Sequence, residues 1–119
     1  MKPRILIVDD EEGIRESLRL ILEQNYELLL ATTGDECIDC IKNTTDVNLV
    51  LLDIKMPKID GIQILKQLKQ INPNIKVIMV TGYKSVETAT EAIKAGAADY
   101  IIKPFNSKDI LETINKILA

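Results

Sequence analysis

Short apolar runs alternate along this chain with segments whose apolar residues recur at helical spacing. Each run is four or five residues long and contains mainly Val, Ile, Leu or other apolar residues, which is typical of strands buried on both faces of a parallel sheet. The predicted strands are Arg4–Val8, Glu27–Ala31, Leu49–Leu52, Lys76–Val80 and Ala98–Ile102. The hydrophobic pattern therefore predicts five buried strands.

A helix is predicted after each strand. In the first helix, Ile14 and Leu18 share one face at four-residue spacing. In the fourth, which is rich in Ala, one face holds Ala89, Ala92 and Ile93. The predicted helices cover about residues 14–22, 34–43, 64–71, 86–95 and 110–118.

Three residues predict where helices begin or end. Pro73 follows the third helix and stops it, and Gly96 stands where a left-handed cap of the fourth helix is expected. Ser107 is the predicted N-cap of the last helix. Five strands alternating with five helices predict one domain, residues 1–119, of the α/β class, with helices on both faces of a (βα)5 parallel sheet.

Net charge and composition argue against several classes of function. The net charge of −3 argues against direct nucleic-acid binding, which needs clustered Lys and Arg. Every apolar run is far shorter than the roughly 20 residues of a membrane-spanning helix, and no targeting segment stands out, so a cytoplasmic location is predicted. Because the chain has no histidine, Ser-His-Asp and Cys-His catalysis are excluded.

The two cysteines, Cys37 and Cys40, have the C-x-x-C spacing of some redox and zinc sites. A zinc site needs about four ligands, and the sequence has no second Cys or His pair. A redox pair should begin a helix just after a strand, whereas this pair lies inside the second predicted helix. We therefore predict ordinary reduced thiols, buried or half-buried.

Polar residues that end four of the predicted strands should meet at one edge of the sheet, where ligands of open parallel sheets bind. Asp9 and Asp10 follow the first strand, and Asp53 follows the third. Three converging carboxylates repel one another unless a cation compensates, and Mg²⁺ prefers such oxygen ligands. Thr81 after the fourth strand and Lys103 after the fifth would complete a site for a phosphoryl group.

Four motifs in this order resemble the receiver domains of two-component response regulators over essentially the whole chain. They are VDDE at 8–11, DIKMPKIDG at 53–61, VTG at 80–82 and GAADYIIKPF at 96–105. The resemblance implies a flavodoxin-like, doubly wound sheet with strand order 2-1-3-4-5, and it is nearest to receivers of transcriptional regulators. It also implies a phosphorylation-activated signalling switch that catalyses only its own phosphoryl transfer and dephosphorylation.

The resemblance assigns roles to the strand-end residues. Asp53 would be the phosphoacceptor, and Lys103 would pair with a phosphoryl oxygen. Mg²⁺, or Mn²⁺ in its place, would be held by Asp10, by Asp53 and by the backbone carbonyl of Lys55, with Asp9 bound mainly through a water molecule.

The resemblance also implies how phosphorylation is read. The Thr81 hydroxyl would move inward to the phosphoryl group and leave space for Tyr100 to turn from exposed to buried. The Lys103–Pro104 bond would be cis, and Lys55 and Tyr83 would flank the site and influence dephosphorylation. The face formed by the fourth helix, fifth strand and fifth helix would switch and form a homodimer.

The implied partner is a sensor histidine kinase or a histidine phosphotransfer protein, which supplies the phosphohistidine that this chain lacks. Its docking surface would be the first helix around Ile14, Arg15 and Leu18, together with the loop after the fifth strand. The effector domain that the family usually attaches after the last helix is not expected within these 119 residues.

Three alternatives remain at this point. A haloacid-dehalogenase-like phosphatase would need Asp-x-Asp after the first strand, whereas Asp9 and Asp10 are adjacent. A flavodoxin-like nucleotide binder would need a phosphate-cradling loop there, which the acids of residues 9–12 would repel. A receiver fold working purely as an interaction module would usually lack part of the acid, hydroxyl and lysine set.

Overall fold

The computed structural model describes residues 2–44, 46–53, 55–56, 59–82 and 86–119. Five parallel strands form one sheet, with bounds β1 Arg4–Val8, β2 Glu27–Ala31, β3 Val47–Leu52, β4 Lys76–Thr81 and β5 Asp99–Ile102. Their order across the sheet is β2-β1-β3-β4-β5, as predicted. The chain order reverses between β1 and β3, and this switch point is where open α/β sheets bind ligands.

Each strand is followed by a helix, which confirms the predicted (βα)5 alternation. The helices are α1 Glu12–Leu22, α2 Gly34–Asn43, α3 Gly61–Ile71, α4 Val86–Lys94 and α5 Ser107–Leu118. One feature was not predicted: Lys55–Met56 and Ile59–Asp60 form a two-stranded antiparallel pair just before α3. These two-residue strands are too short to show any hydrophobic periodicity.

The core has two layers, one on each face of the sheet. Alternate residues of β1 point to opposite faces, so Leu6 belongs to one layer and Ile7 to the other. The first layer includes buried side chains of α2, α3 and α4, among them Leu65. The second includes Leu18 of α1 and Ile114 of α5. A sheet covered on both faces explains why its central strands are almost entirely apolar.

Two details of the helices differ from the sequence prediction. The N-cap of α5 is Asn106 rather than Ser107, because the Asn106 side-chain oxygen accepts a 2.8 Å hydrogen bond from the Asp109 backbone N–H. In α4, Ala92 is fully buried but Ile93 is 50% exposed. One residue turns a helix by about 100°, and the apolar stripe of α4 is too narrow to include both.

Other local predictions are confirmed. Gly96, two residues after the end of α4, has a φ of +109°, and α3 ends at its C-cap Asn72 before Pro73. Cys37 is buried and Cys40 is half-buried, and both thiols are free. Within the described ranges, no helix has the length and apolar character needed to span a bilayer.

Candidate functional site

Asp9 and Asp53 lie side by side because β1 and β3 are neighbours in register. Val8, the last residue of β1, pairs with Leu52, the last residue of β3. The Asp53 N–H donates to the Val8 carbonyl at 3.1 Å, which continues the ladder one step beyond both strands. Both carboxylates therefore emerge from the sheet at its switch point.

Lys103 reaches the same point from the far edge of the sheet. Its backbone N–H donates to the Thr81 carbonyl at 2.8 Å, just beyond the pairing of β4 with β5. From there its Nζ lies 2.8 Å from Asp9 Oδ2 and 3.3 Å from Asp53 Oδ2. The Lys103–Pro104 peptide bond that follows is cis, as predicted.

The pocket formed by these side chains is shielded from water. Asp9 is 2% exposed and Asp53 is 4% exposed. The Lys103 ammonium between them therefore lies in surroundings with a lower dielectric constant than water, where charges interact more strongly. Burial raises the pKa of Asp9 above its ordinary value, although the hydrogen bond and charge of Lys103 oppose this. Burial alone would lower the pKa of Lys103, but its contacts with Asp9 and Asp53 outweigh burial and raise it.

Four carboxylates cluster in this pocket, three of them in contact with Lys103, and one of the four was missed as a site residue by sequence reasoning. Oxygens of Asp9, Asp10, Glu11 and Asp53 all lie within 4.8 Å of one another. Glu11 Oε1 is also 3.4 Å from Lys103 Nζ, while the rest of its side chain is exposed. Its position as the third consecutive acid after β1 was the available signal. Hard carboxylate oxygens in excess over one ammonium are a donor set that fits Mg²⁺.

Three of the remaining predicted site residues lie on β4, on β5 and in the segment after β3. Thr81 is buried at the end of β4. Tyr100 of β5 is half-buried against the first core layer, which includes side chains of α2, α3 and α4. The main chain of Lys55 lies two residues beyond Asp53, in the short antiparallel pair, opposite Asp60. Tyr83 lies outside the described residues.

The predicted docking residues of α1 prove to be mostly directed inward. Leu18 is only 1% exposed and belongs to the core, and Ile14 packs against the same layer. Arg15 is half-buried and donates from Nη1 to the Asp9 backbone carbonyl at 2.8 Å. Leu18 therefore cannot contact a partner in this conformation. The apolar stripe from which α1 was predicted is the face that packs on the core.

Comparisons with known proteins agree with this architecture. The transcriptional regulatory protein ZraR of Escherichia coli K12 is 40% identical over 116 residues, which cover 97% of this chain and 26% of ZraR. The chain thus spans about a quarter of that curated relative. That relative is named a transcriptional regulatory protein.

Two solved structures show the same fold. A CheY-like response regulator receiver domain protein from Methanospirillum hungatei has a TM-score of 0.94 and 43% identity, with 99% of this chain and 94% of that chain covered. A chain of the CheX–CheY–BeF3–Mg²⁺ complex from Borrelia burgdorferi has a TM-score of 0.94 and 28% identity, with 98% and 90% covered.

The family model described as the response regulator receiver domain matches residues 5–115, which include β1 except Arg4, the other four strands and most of α5. Domains of this family are signalling switches of two-component systems, and their acidic pocket binds Mg²⁺. The match covers nearly the whole described fold and includes every acid of the pocket. This chain therefore belongs to the response regulator receiver domain family.

Proposed function

We propose that this chain is a phosphorylation-activated receiver, in a domain spanning residues 1–119, and that Asp53 is its phosphoacceptor. The observation that carries the proposal is the half-buried Lys103 ammonium, which joins the buried carboxylates of Asp53 and Asp9 beside two further acids. A carboxylate held next to both a fixed cation and a cation-binding cluster is suited to attack a phosphoryl group, whose negative charge must be neutralised.

The proposed step transfers the phosphoryl group from a phosphohistidine of a sensor histidine kinase or histidine phosphotransfer protein. An Asp53 carboxylate oxygen attacks phosphorus in line and forms a P–O bond. The P–N bond breaks, and its electron pair stays on the departing imidazole nitrogen. Lys103, whose Nζ already lies 3.3 Å from Asp53 Oδ2, pairs with a phosphoryl oxygen.

The acid pocket fits Mg²⁺, or Mn²⁺, by the chemistry of its donors. We propose that Asp10, Asp53 and the main-chain carbonyl of Lys55 bind the ion directly, with Asp9 acting through a water molecule. Mg²⁺ typically retains several waters, so a small number of protein ligands is sufficient. When bound, the ion would supply positive charge against the phosphoryl oxygens. The similar Borrelia burgdorferi chain comes from a complex that contains Mg²⁺ and BeF3, which supports this assignment.

The proposed switch couples the pocket to the outer face of α4, β5 and α5. The Thr81 hydroxyl would move to the phosphoryl group, and Tyr100, now half-buried, would turn inward into the space released. Two of the exposed large apolar side chains lie on these elements: Ile93 of α4 is 50% exposed and Ile102 of β5 is 40% exposed. These residues suit a phosphorylation-dependent homodimer.

The output of the switch is proposed to lie in another part of a longer protein. ZraR is named a transcriptional regulatory protein, and this chain matches only 26% of it. The net charge of −3 makes direct DNA contact by this domain unfavourable. The proposed location is the cytoplasm, where a kinase of this type and a DNA-binding output would both be accessible.

Incubation with acetyl phosphate and Mg²⁺, followed by intact-mass measurement, tests the phosphoacceptor. We expect wild type to gain one phosphoryl group, Asp53→Asn to gain none, and the exposed control Asp39→Asn on α2 to behave as wild type. A gain that survives Asp53→Asn contradicts the assignment. An unchanged wild-type mass, under conditions where Mg²⁺ binding is confirmed, favours an interaction module that works without phosphorylation.

A further inference from the structure

Arg15 contacts the acid pocket through the backbone carbonyl of Asp9 and not through a carboxylate. It lies at the fourth position of α1, and its Nη1 donates at 2.8 Å to the backbone carbonyl of Asp9. Asp9 is the first residue after β1, and its carbonyl has left the sheet ladder. A half-buried guanidinium therefore supplies the donor for a carbonyl in a residue that is only 2% exposed.

This contact completes the hydrogen bonding of Asp9. Its N–H donates to the Ala31 carbonyl at 3.2 Å, and its Oδ1 accepts from the Glu11 N–H at 2.9 Å. Its Oδ2 accepts from Lys103 Nζ at 2.8 Å, and its carbonyl accepts from Arg15. All four polar atoms of Asp9 are thus held, by strand β2, by the loop after β1, by the residue that follows β5 and by α1.

The neighbouring acids are held less firmly. Asp10 and Glu11 follow Asp9 directly, and both are exposed at the mouth of the pocket. Their positions depend on the path that the chain takes from Asp9 into α1. The Arg15 guanidinium bridges the two ends of that path, because it extends from the first turns of the helix back to the last residue before the loop.

We infer that Arg15 is a positioning residue for metal binding, which fixes the loop bearing Asp9, Asp10 and Glu11 and so sets the affinity of the pocket for Mg²⁺. The inference rests on the proposed function in taking this pocket as the metal site. Loss of Arg15 would leave a buried carbonyl without its donor, which is unfavourable enough to shift the loop. Removing a group that orients metal ligands typically weakens metal affinity by about 10- to 100-fold.

One opposing effect must be separated from positioning. Arg15 is itself a cation near the pocket, and its removal would strengthen Mg²⁺ binding through charge alone. This long-range effect is screened by salt, with a Debye length of about 10 Å at 0.1 M and about 3 Å at 1 M. Titrations in about 0.5 M KCl therefore suppress the charge effect and leave the positioning effect in place.

Mg²⁺ titration by calorimetry, with thermal unfolding in EDTA to verify folding, tests the inference. The variants are Arg15→Gln, Arg15→Lys and the control Arg19→Gln, which removes the same charge from α1 one turn further from the pocket. The Arg19 side chain forms ion pairs with Glu16 and Glu23 and does not contact Asp9. We expect Arg15→Gln to bind Mg²⁺ about tenfold more weakly than wild type. Arg15→Lys should be intermediate, and Arg19→Gln should match wild type.

Each result decides the question. Wild-type affinity in Arg15→Gln overturns the inference, as does an equal loss in Arg19→Gln. Should Arg15→Gln fail to fold, Arg15→Lys decides, since it keeps the charge with a shorter side chain, and unchanged affinity there overturns the inference. Failure of the wild-type chain itself to bind Mg²⁺ would instead contradict the proposed metal site, which distinguishes the two proposals.

Discussion

Lys103 Nζ lies 2.8 Å from Asp9 Oδ2 although 94 positions separate the two residues in the sequence. The same Nζ contacts Asp53 Oδ2 at 3.3 Å, so one ammonium neutralises part of the charge of two buried carboxylates. The acids emerge from β1 and β3 in the middle of the sheet, and the lysine follows the edge strand β5. Only the folded sheet brings these groups together.

Replacing this lysine should destabilise the domain most when Mg²⁺ is absent. Lys103→Met leaves the buried carboxylates of Asp9 and Asp53 without their ammonium, and loss of one partner of a buried pair costs about 3–5 kcal/mol. Urea unfolding in EDTA should show a loss of this size, and added Mg²⁺ should restore part of it. Acetyl phosphate labelling of Asp53 should also slow markedly. The exposed Lys108→Met on α5 is the matched control, and equal losses in the two variants would contradict this prediction.

Cys37 should make the stability of the domain depend on alkaline pH. Burial, with a smaller contribution from Cys40, raises the pKa of the Cys37 thiol from 9.0 to about 12. Between these values the unfolded chain releases the thiol proton and the folded chain keeps it, so the free energy of unfolding falls as pH rises. The fall contributed by this group should approach about 1.4 kcal/mol per pH unit.

The comparison of Cys37→Ala with Cys40→Ala isolates that contribution. Urea unfolding at several pH values from 9 upward should give a shallower decline for Cys37→Ala than for wild type, because the variant lacks the shifted group. Cys40→Ala should keep most of the decline. Parallel slopes for wild type and Cys37→Ala would show that the thiol ionises equally easily in both states.

A side chain at Gly96 should destabilise the domain, for two independent reasons. Its φ of +109° is rarely adopted by residues with a Cβ, and a Cβ there would lie 3.1 Å from Lys69 Cε. We expect Gly96→Ala to lower the free energy of unfolding by about 1–2 kcal/mol. Gly13→Ala is the contrasting variant, since a Cβ at Gly13 meets nothing within 4 Å and the residue lies in α1. Its stability should be unchanged or slightly higher, and a similar loss at both positions would contradict the explanation.

The N-cap of α5 can be assigned by paired alanine variants. The Asn106 side chain accepts from the Asp109 N–H, so Asn106→Ala should cost about 1 kcal/mol in urea unfolding. Ser107 is the first residue of the helix and is exposed, so Ser107→Ala should have little effect. A larger loss of stability in Ser107→Ala than in Asn106→Ala would instead identify Ser107 as the N-cap.

The sequence by itself determined the elements and their order. Apolar runs such as Arg4–Val8 and the helical spacing of Ile110 and Ile114 are local signals, because a continuous apolar run and a 3.6-residue period are each visible within a few positions. The same is true of Gly96, whose backbone preference is its own property. The strand-end acids were also readable, since the carboxyl ends of parallel strands share one edge whatever the details of packing.

Only the tertiary structure decided which of several adjacent residues faces the core, the pocket or the solvent. The apolar stripe of α1 did not reveal that Leu18 is fully enclosed, and Ser107 was as good a cap by composition as Asn106. The inclusion of Glu11 among the clustered acids and the contact of Arg15 with the Asp9 carbonyl depend on the angle at which α1 leaves the sheet. These contacts join residues through space at distances of a few ångströms, and such distances follow from how the helices pack on the sheet, which no short window of sequence encodes.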